Sequence, residues 1–198
     1  RRWMAIRDMD IEAEIIATPY DVPFSTTPFA EDTVHASYDR EAVSRFWQIL
    51  VFVGSAFEAF RARFIGKSTP VHLFWHHFDL ALTRFSGEPA PPLSGGTQAD
   101  REAYSHAVIS FGFWPGDAQV REPAFYAYAY PEPPNMTELS LHPAQARWNT
   151  DYGYAQAFMP YEALRDLEVG GDLRVDHIGR HLVDLDVRRS DLFELERY

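Results

Sequence analysis

The spacing of the apolar residues predicts one long helix in the first third of the chain. Between residues 40 and 64, apolar side chains recur at intervals of three and four positions, which places them on one face of a helix. They are Val43, Phe46, Trp47, Leu50, Val53, Phe57, Phe60 and Phe64. Ser37 or Asp39 would cap the start of this helix, and Gly66 would end it.

The stretch VHLFWHHFDLALTRF, residues 71–85, is rich in aromatic and branched residues and predicts a strand. Its length exceeds that of most strands, so we expect a bend or a bulge within it. A helix beginning at Pro70 is the alternative, and it would bring His72, His76 and Asp79 to one side. The strand would place His72, Phe74, His76, Phe78, Leu80 and Leu82 on one face, and Trp75, His77, Asp79, Ala81, Thr83 and Phe85 on the other. We expect Phe74, Phe78, Leu80 and Leu82 of the first face to pack against the long helix.

Two further apolar runs, HAVISFGFWPGD and AFYAYAYPEPP, divide in the same way between two faces. In the first run Ala107, Ile109, Phe111 and Phe113 oppose His106, Ser110 and Trp114; in the second Phe125, Ala127 and Ala129 oppose Tyr126, Tyr128 and Tyr130. Residues 11–18 predict one more strand, and residues 172–198 predict three. The expected fold is α+β, a single domain over residues 1–198, with a mainly antiparallel sheet and the long amphipathic helix packed on one face.

Charge and cysteine usage exclude several classes of function. The 198 residues include 29 acidic and 18 basic side chains, with a formal net charge of -11 at pH 7. This surplus repels phosphate backbones, so nucleic acid is not expected as a partner. The absence of cysteine excludes disulfides and thiolate chemistry and fits a cytoplasmic location. No apolar run reaches the length of a membrane span, so no membrane partner is expected.

The face that carries Asp79 is mixed aromatic and polar, and such a face shared by three strands is typical of a ligand cleft. We therefore expect a small-molecule ligand there; the sequence indicates neither a cofactor nor an oligomeric state. The candidate catalytic residues are Asp79, His77 and His106, because a carboxylate with an imidazole can form a general base. The candidate substrate-binding residues are Trp75, Arg84, Trp114, Tyr126 and Tyr128.

Three alternatives stand beside this hypothesis. Asp79 could be purely structural, satisfied by His77, Arg84 or a tyrosine. The spacing His77-x-Asp79 is also used by metal-dependent enzymes with two histidines and one carboxylate, and His106 or His142 would then be the third ligand. The aromatic face could instead be the contact surface of a protein–protein interaction module. We expect Asp79 to be mostly buried and to accept a hydrogen bond from a histidine, arginine, tyrosine or backbone donor.

Several longer motifs carry a family resemblance. They are SYD, RFW, PVHLFWHHFDLALTRFSG, REAYSH, SFGFWPGD and EPAFYAYAYPEP. They resemble an uncharacterised bacterial family, domain of unknown function 5996, and the resemblance covers about residues 1–165. The resemblance implies an α+β domain without an established activity, and it assigns no catalytic role. It implies that the motif blocks contain His77, Asp79, Arg84, His106, Gly112, Trp114, Pro115, Gly116 and Tyr126.

Two places depart from that family. Ala107 stands where the family often has glutamate. The C-terminal segment GGDLRVDHIGRHLVDLDVRRSDLFELERY is similar to strands that precede the RRWMA segment in the family. The alternative to a single complete domain is therefore a permuted or incomplete version of the family domain. In a permuted domain Arg1 and Tyr198 would lie close together, and residues 191–198 would pair within the main sheet.

Overall fold

The computed structural model describes residues 9, 26–28, 30–74, 77–96 and 98–166 of the chain. The chain divides into two units, residues 1–45 and residues 46–198. The strands expected at residues 11–18 and 172–198, and the predicted proximity of Arg1 and Tyr198, lie outside the described residues. The permuted domain therefore stays a prediction.

The long helix, α1, spans Arg40–Arg61 and ends slightly earlier than predicted. Oδ1 of Asp39 accepts hydrogen bonds from the backbone N–H groups of Glu41 and Ala42, both at 2.9 Å. These N–H groups have no partner within the helix, so the carboxylate of Asp39 completes the first turn. Asp39, one of the two predicted caps, is thus the N-cap of α1.

Six strands form one antiparallel sheet. They are β1 (His72–Phe74), β2 (Asp79–Pro89), β3 (His106–Trp114), β4 (Ala124–Tyr130), β5 (Arg147–Asn149) and β6 (Gln156–Pro160). Their spatial order is β1-β2-β3-β4-β6-β5. Helix α2 (Gln98–Ala103) lies between β2 and β3, a 3-10 helix (Met136–Glu138) follows β4, and α3 (Tyr161–Asp166) follows β6. The predicted α+β class is confirmed.

Helix α1 packs on one face of the sheet, mainly through phenylalanine side chains. Phe60 of α1 meets Phe111 of β3 edge to face, with ring centroids 4.8 Å apart. Leu80 and Leu82 belong to the same buried cluster, which confirms that this side of β2 faces the helix. Removing these apolar side chains from water is the main favourable contribution to the stability of such a layer.

The predicted long strand is in fact a hairpin. β1 pairs antiparallel with β2, so that Phe74 lies opposite Asp79 and His72 lies opposite Ala81. Residues directly opposite each other point to the same face, so His72 and Phe74 lie on the Asp79 face and not on the predicted helix face. The chain reverses between Phe74 and Asp79, and Phe78, just before β2, has a φ of 59°. Phe74 and Phe78 are consequently 40% and 53% exposed instead of buried against α1.

Candidate functional site: an aspartate beside a tyrosine cluster

The sheet face opposite α1 carries the polar and aromatic side chains that predict a ligand site, and we call it the tyrosine face. It is defined by Asp79, Ala81 and Thr83 of β2, Ser110, Gly112 and Trp114 of β3, and Tyr126, Tyr128 and Tyr130 of β4. The strand register places Ala81, Gly112 and Tyr126 side by side in one row. The next row contains Thr83, Ser110 and Tyr128, and the hydroxyl groups of Thr83 and Ser110 lie 2.7 Å apart.

Tyr126 reaches across a whole strand because residue 112 has no side chain. A Cβ atom at Gly112 would overlap the ring and the hydroxyl group of Tyr126. The ring therefore lies over the backbone of β3, and its hydroxyl donates a hydrogen bond to Oδ2 of Asp79 on β2. The predicted hydrogen bond to Asp79 is confirmed, with a tyrosine as the donor. Asp79 is half-buried, which is less than we expected.

Three further tyrosines continue from Tyr126, and we call Tyr104, Tyr126, Tyr128 and Tyr154 the tyrosine cluster. The rings of Tyr126 and Tyr128 are stacked, with centroids 6.0 Å apart and planes inclined by 19°. The hydroxyl groups of Tyr128 and Tyr104 lie 2.8 Å apart and form a hydrogen bond. Tyr154 meets Tyr128 edge to face at a centroid distance of 5.4 Å. The cluster thus forms one continuous set of contacts leading away from Asp79.

Burial makes the phenols of the cluster weaker acids. It raises the pKa of Tyr126 well above the usual 10.0, and the negative charge of Asp79 raises it further. It also raises the pKa of Tyr128, with a second contribution from the neighbouring hydroxyl of Tyr104. The pKa of Tyr154 rises to about 12 through desolvation and then the nearby hydroxyl of Tyr128, although 41% of Tyr154 is exposed. At neutral pH the cluster therefore presents uncharged hydroxyl groups near one carboxylate.

Two buried polar atoms beside the tyrosine face have no hydrogen-bond partner in the part of the chain that the structure describes. They are the hydroxyl oxygen of Tyr152 and Oε1 of Gln156. The ring of Tyr152 meets that of Trp114 edge to face at 6.4 Å. Gln156 is 7% exposed and pairs with Asn149 on β5. Leaving such an atom without a partner costs about 1–3 kcal/mol, so both are candidate contacts for a ligand.

Comparison with known proteins places the chain in a family. Residues 2–171 match a family of unknown function, which confirms the resemblance predicted from the sequence. The chain belongs to DUF5996. The matched range contains the tyrosine face and the tyrosine cluster, but the DUF5996 description assigns no activity to them. No curated protein and no solved structure significantly matches the chain.

His106 does not lie near Asp79 in this DUF5996 chain. It begins β3, where it pairs with Pro89 at the far end of β2. Trp114, at the other end of β3, is eight residues away, which corresponds to about 26 Å along a strand. His106 is exposed, and its Nδ1 lies 3.1 Å from the hydroxyl of Ser105. The structure therefore does not bring His106 together with Asp79 as a catalytic pair.

Arg84 lies on the opposite face of the sheet from Asp79, because alternation along β2 places it beside Leu82 and α1. It is 9% exposed. Its guanidinium group lies 3.9 Å from the centroid of the Phe60 ring, and Nη2–H donates a hydrogen bond to the carbonyl oxygen of Phe60 at 3.2 Å. Arg84 thus packs beneath α1 on the face away from Asp79, and its role in substrate binding stays a prediction.

The remaining predicted site residues divide into three groups. Trp114 lies on the tyrosine face at the end of β3 nearest Asp79. His77 is exposed in the turn that precedes β2, and its catalytic role stays a prediction. Trp75, together with His76, lies outside the described residues. Within the described ranges, no group of three or more histidine, aspartate and glutamate side chains is placed to hold a metal ion.

Sequence reasoning missed two members of the DUF5996 tyrosine cluster. Tyr104 follows α2, and Tyr154 lies in the turn before β6. Neither residue belongs to an alternating segment, so periodicity could not assign it to a face. The REAYSH motif contains Tyr104 and could have drawn attention to it, whereas the sequence around Tyr154 offers no comparable signal. In the described part of the chain, no helix combines the length and apolar character needed to cross a membrane.

Proposed function

We propose that this DUF5996 chain binds a small molecule on the tyrosine face, with the carboxylate of Asp79 as the anchoring group. The observation that carries the proposal is the hydrogen bond from Tyr126 to Asp79 across Gly112. It occupies Oδ2 of Asp79. Among the described residues no hydrogen bond to Oδ1 is formed, and the side chain is only half-buried. One oxygen of an oriented carboxylate is therefore free to meet a ligand.

The groups that would contact the ligand are held by the sheet itself. Asp79, Gly112 and Tyr126 belong to three adjacent strands with a continuous hydrogen-bonded register. Tyr126 is further fixed by its burial and by stacking on Tyr128. Side chains that are fixed before binding lose little conformational entropy when a ligand arrives. This arrangement favours recognition of a small, well-defined group.

Two partly exposed aromatic residues are neighbours of Asp79 in the β1–β2 hairpin. Phe74 lies directly opposite Asp79 on β1, and Phe78 immediately precedes it; they are 40% and 53% exposed. The left-handed backbone of Phe78 is unfavourable for a bulky residue, and such conformations concentrate at functional sites. The rings supply the apolar contact area that a ligand site needs in addition to a polar anchor.

A ligand screen with four forms of the protein tests this proposal. Protein-observed NMR with a diverse library of metabolites would be run on the wild type, Asp79→Asn, Tyr126→Phe and Tyr130→Phe. Tyr130 lies on the same strand and face, but its hydroxyl donates to the carbonyl oxygen of Pro91 instead of Asp79. We expect ligands to bind the wild type and Tyr130→Phe alike and to bind Asp79→Asn at least about tenfold more weakly.

The thermal midpoint of each variant separates binding from folding. Asp79→Asn with an unchanged midpoint and lost binding supports a site, whereas a large fall in the midpoint means that Asp79 is structural. Tyr126→Phe removes only the hydroxyl and provides a second measurement if Asp79→Asn does not fold. Ligands that bind all four forms equally, or a library without any ligand, would refute the proposal.

The exposed rings of Phe74 and Phe78 also favour a second candidate, a protein–protein contact surface, because monomers rarely expose adjacent large aromatic side chains. Sedimentation velocity over a range of protein concentrations would detect self-association. A dimer that dissociates in a Phe74→Ser/Phe78→Ser double variant would support this candidate. A monomer at all concentrations would argue against assembly of the chain with itself.

A further inference from the structure

The charges around Asp79 indicate the chemical class of the ligand, an inference that rests on the proposed binding site. Strands β1–β4 contain a single lysine or arginine, Arg84, which lies on the opposite face beneath α1. The ion pairs of the described residues do not include Asp79. Its hydrogen-bond donor, Tyr126, is uncharged. Among the described residues, the negative charge of Asp79 is therefore solvated by a hydroxyl group and has no ion-pair partner.

The rings next to Asp79 favour a positive group as well. Phe74 lies opposite Asp79 on β1, and Tyr126, which donates to Asp79, stacks on Tyr128, so three aromatic residues lie near the carboxylate in the sheet. The faces of aromatic rings attract cations, and a carboxylate adds a direct ionic contact. An uncharged apolar ligand would leave the carboxylate desolvated, and a carboxylate or phosphate ligand would be repelled by it. Only a cation is favoured by both features.

The net charge of the whole chain also favours a cationic ligand. A formal net charge of -11 at pH 7 raises the concentration of small cations near the surface and lowers that of anions. We infer that the ligand carries a primary or quaternary ammonium group, which pairs with the Asp79 carboxylate among the rings of Phe74, Tyr126 and Tyr128. The ammonium group would supply the missing positive charge, and its alkyl part would contact the rings.

Two ammonium probes and an uncharged isostere of one of them test this inference. Choline, butylammonium and the uncharged isostere of choline, in which carbon replaces nitrogen, would be titrated into the full chain and followed by NMR. We expect at least one ammonium probe to bind about tenfold more tightly than the uncharged isostere. Asp79→Asn should remove this preference, whereas Glu138→Gln, which neutralises an exposed carboxylate of the 3-10 helix, should preserve it. Should Asp79→Asn not fold, salt provides the second measurement, because added NaCl should weaken ammonium binding and leave the isostere unchanged.

The outcomes distinguish this inference from the proposed site. Equal binding of the ammonium probe and its isostere, or binding that salt does not weaken, would overturn the cationic class. The cationic class would also be overturned if neutral or anionic library members bound in an Asp79-dependent manner while neither ammonium probe bound. In that case the proposed site would stand. If neither the probes nor any library member binds, the proposed function and the ligand class fall together.

Discussion

Gly112 and Tyr126 are direct neighbours on β3 and β4, and the missing side chain of one makes room for the ring of the other. Side chains on a strand normally stand roughly perpendicular to the sheet. At this position the ring instead lies along the sheet surface, which brings its hydroxyl group to Asp79 two strands away. The hydrogen bond between Tyr126 and Asp79 thus depends on Gly112, a residue without a side chain.

Gly112→Ala should therefore disrupt the site. The new methyl group would overlap the Tyr126 ring, which must move and release Asp79. We expect the free energy of unfolding to fall by about 1–3 kcal/mol, as for overpacking of a filled position. Urea denaturation measures this change, and near-ultraviolet circular dichroism reports the altered environment of the tyrosine.

Gly54→Ala is the matched control on α1. A Cβ atom at Gly54 would meet Cδ2 of Leu80 at 3.7 Å, an ordinary van der Waals distance. Alanine is favoured over glycine inside a helix, so this change should raise the free energy of unfolding by about 0.5–1 kcal/mol. A Gly112→Ala protein as stable as the wild type would show that the Tyr126 ring does not occupy the space over residue 112.

The tyrosine cluster should ionise late and only as the fold is lost. The folded-state pKa values of Tyr126 and Tyr128 are raised above the unfolded value of 10.0, chiefly by burial. The folded state therefore retains protons that the unfolded state releases, so their contribution to stability is complete below about pH 10 and is lost as the pH rises further. An absorbance titration of tyrosinate should show a cooperative final step that coincides with unfolding. Chemically unfolded protein, the control, should titrate in one broad step; gradual ionisation without unfolding in the folded protein would contradict the burial of these phenols.

At the scale of the element, two residues that the spacing assigns to the same apolar face of α1 differ in burial. Phe57 is fully buried against the sheet, whereas Trp47, on the same helix, is 64% exposed. Phe57→Ala should lower the free energy of unfolding by about 3–5 kcal/mol, because it creates a cavity between α1 and the sheet. Trp47→Ala should change it by only about 0.5 kcal/mol. Chemical denaturation of both variants checks the difference, and equal effects would mean that the helix does not pack as described.

The faces of the sheet could be predicted because burial on one side produces an alternation that is visible locally. Leu80 and Leu82 point to α1, and Asp79 points away, as the pattern in the sequence indicates. The hairpin between β1 and β2 could not be predicted in the same way. The residues between the two strands include none of the glycine, asparagine or proline that usually marks a reversal, and Phe78 among them adopts a φ of 59°.

The candidate site was predictable in its residue types but not in its geometry. A carboxylate on a partly covered face needs a donor, and tyrosines on the neighbouring run were the nearest candidates. Which tyrosine reaches Asp79 depends on the register of three strands that are far apart in sequence, and periodicity contains no information about register. For Arg84 two sequence signals disagreed. Its charge suggested a polar site, whereas its position in the alternation along β2 assigned it to the buried helix side.

At the scale of the whole molecule, repulsion among the surplus acidic residues opposes the attraction within local arginine–glutamate pairs. The chain carries 29 acidic and 18 basic residues. Within the described ranges, the arginine–glutamate pairs lie within single helices at spacings of three or four residues, with largely exposed side chains: Arg45–Glu41, Arg61–Glu58 and Arg165–Glu162. Such pairs contribute little to stability, because water screens them and two long side chains must be ordered. The surplus of negative charge should therefore dominate the response of the fold to salt.

The free energy of unfolding at neutral pH should accordingly rise when NaCl is added. Between about 0.01 M and about 0.15 M salt the screening length falls from about 30 Å to about 8 Å, which weakens repulsion over most of the surface. A gain of about 1 kcal/mol would raise the thermal midpoint by about 2–4 °C in a chain of this size, and differential scanning calorimetry would detect it. The same titration near the isoelectric point of 5.1 is the control, since the net charge there is close to zero and salt should have little stabilising effect. A midpoint that falls with salt at neutral pH would mean that attractive pairs outweigh the negative surplus, and the electrostatic argument for a cationic ligand would then rest on Asp79 and its surrounding rings alone.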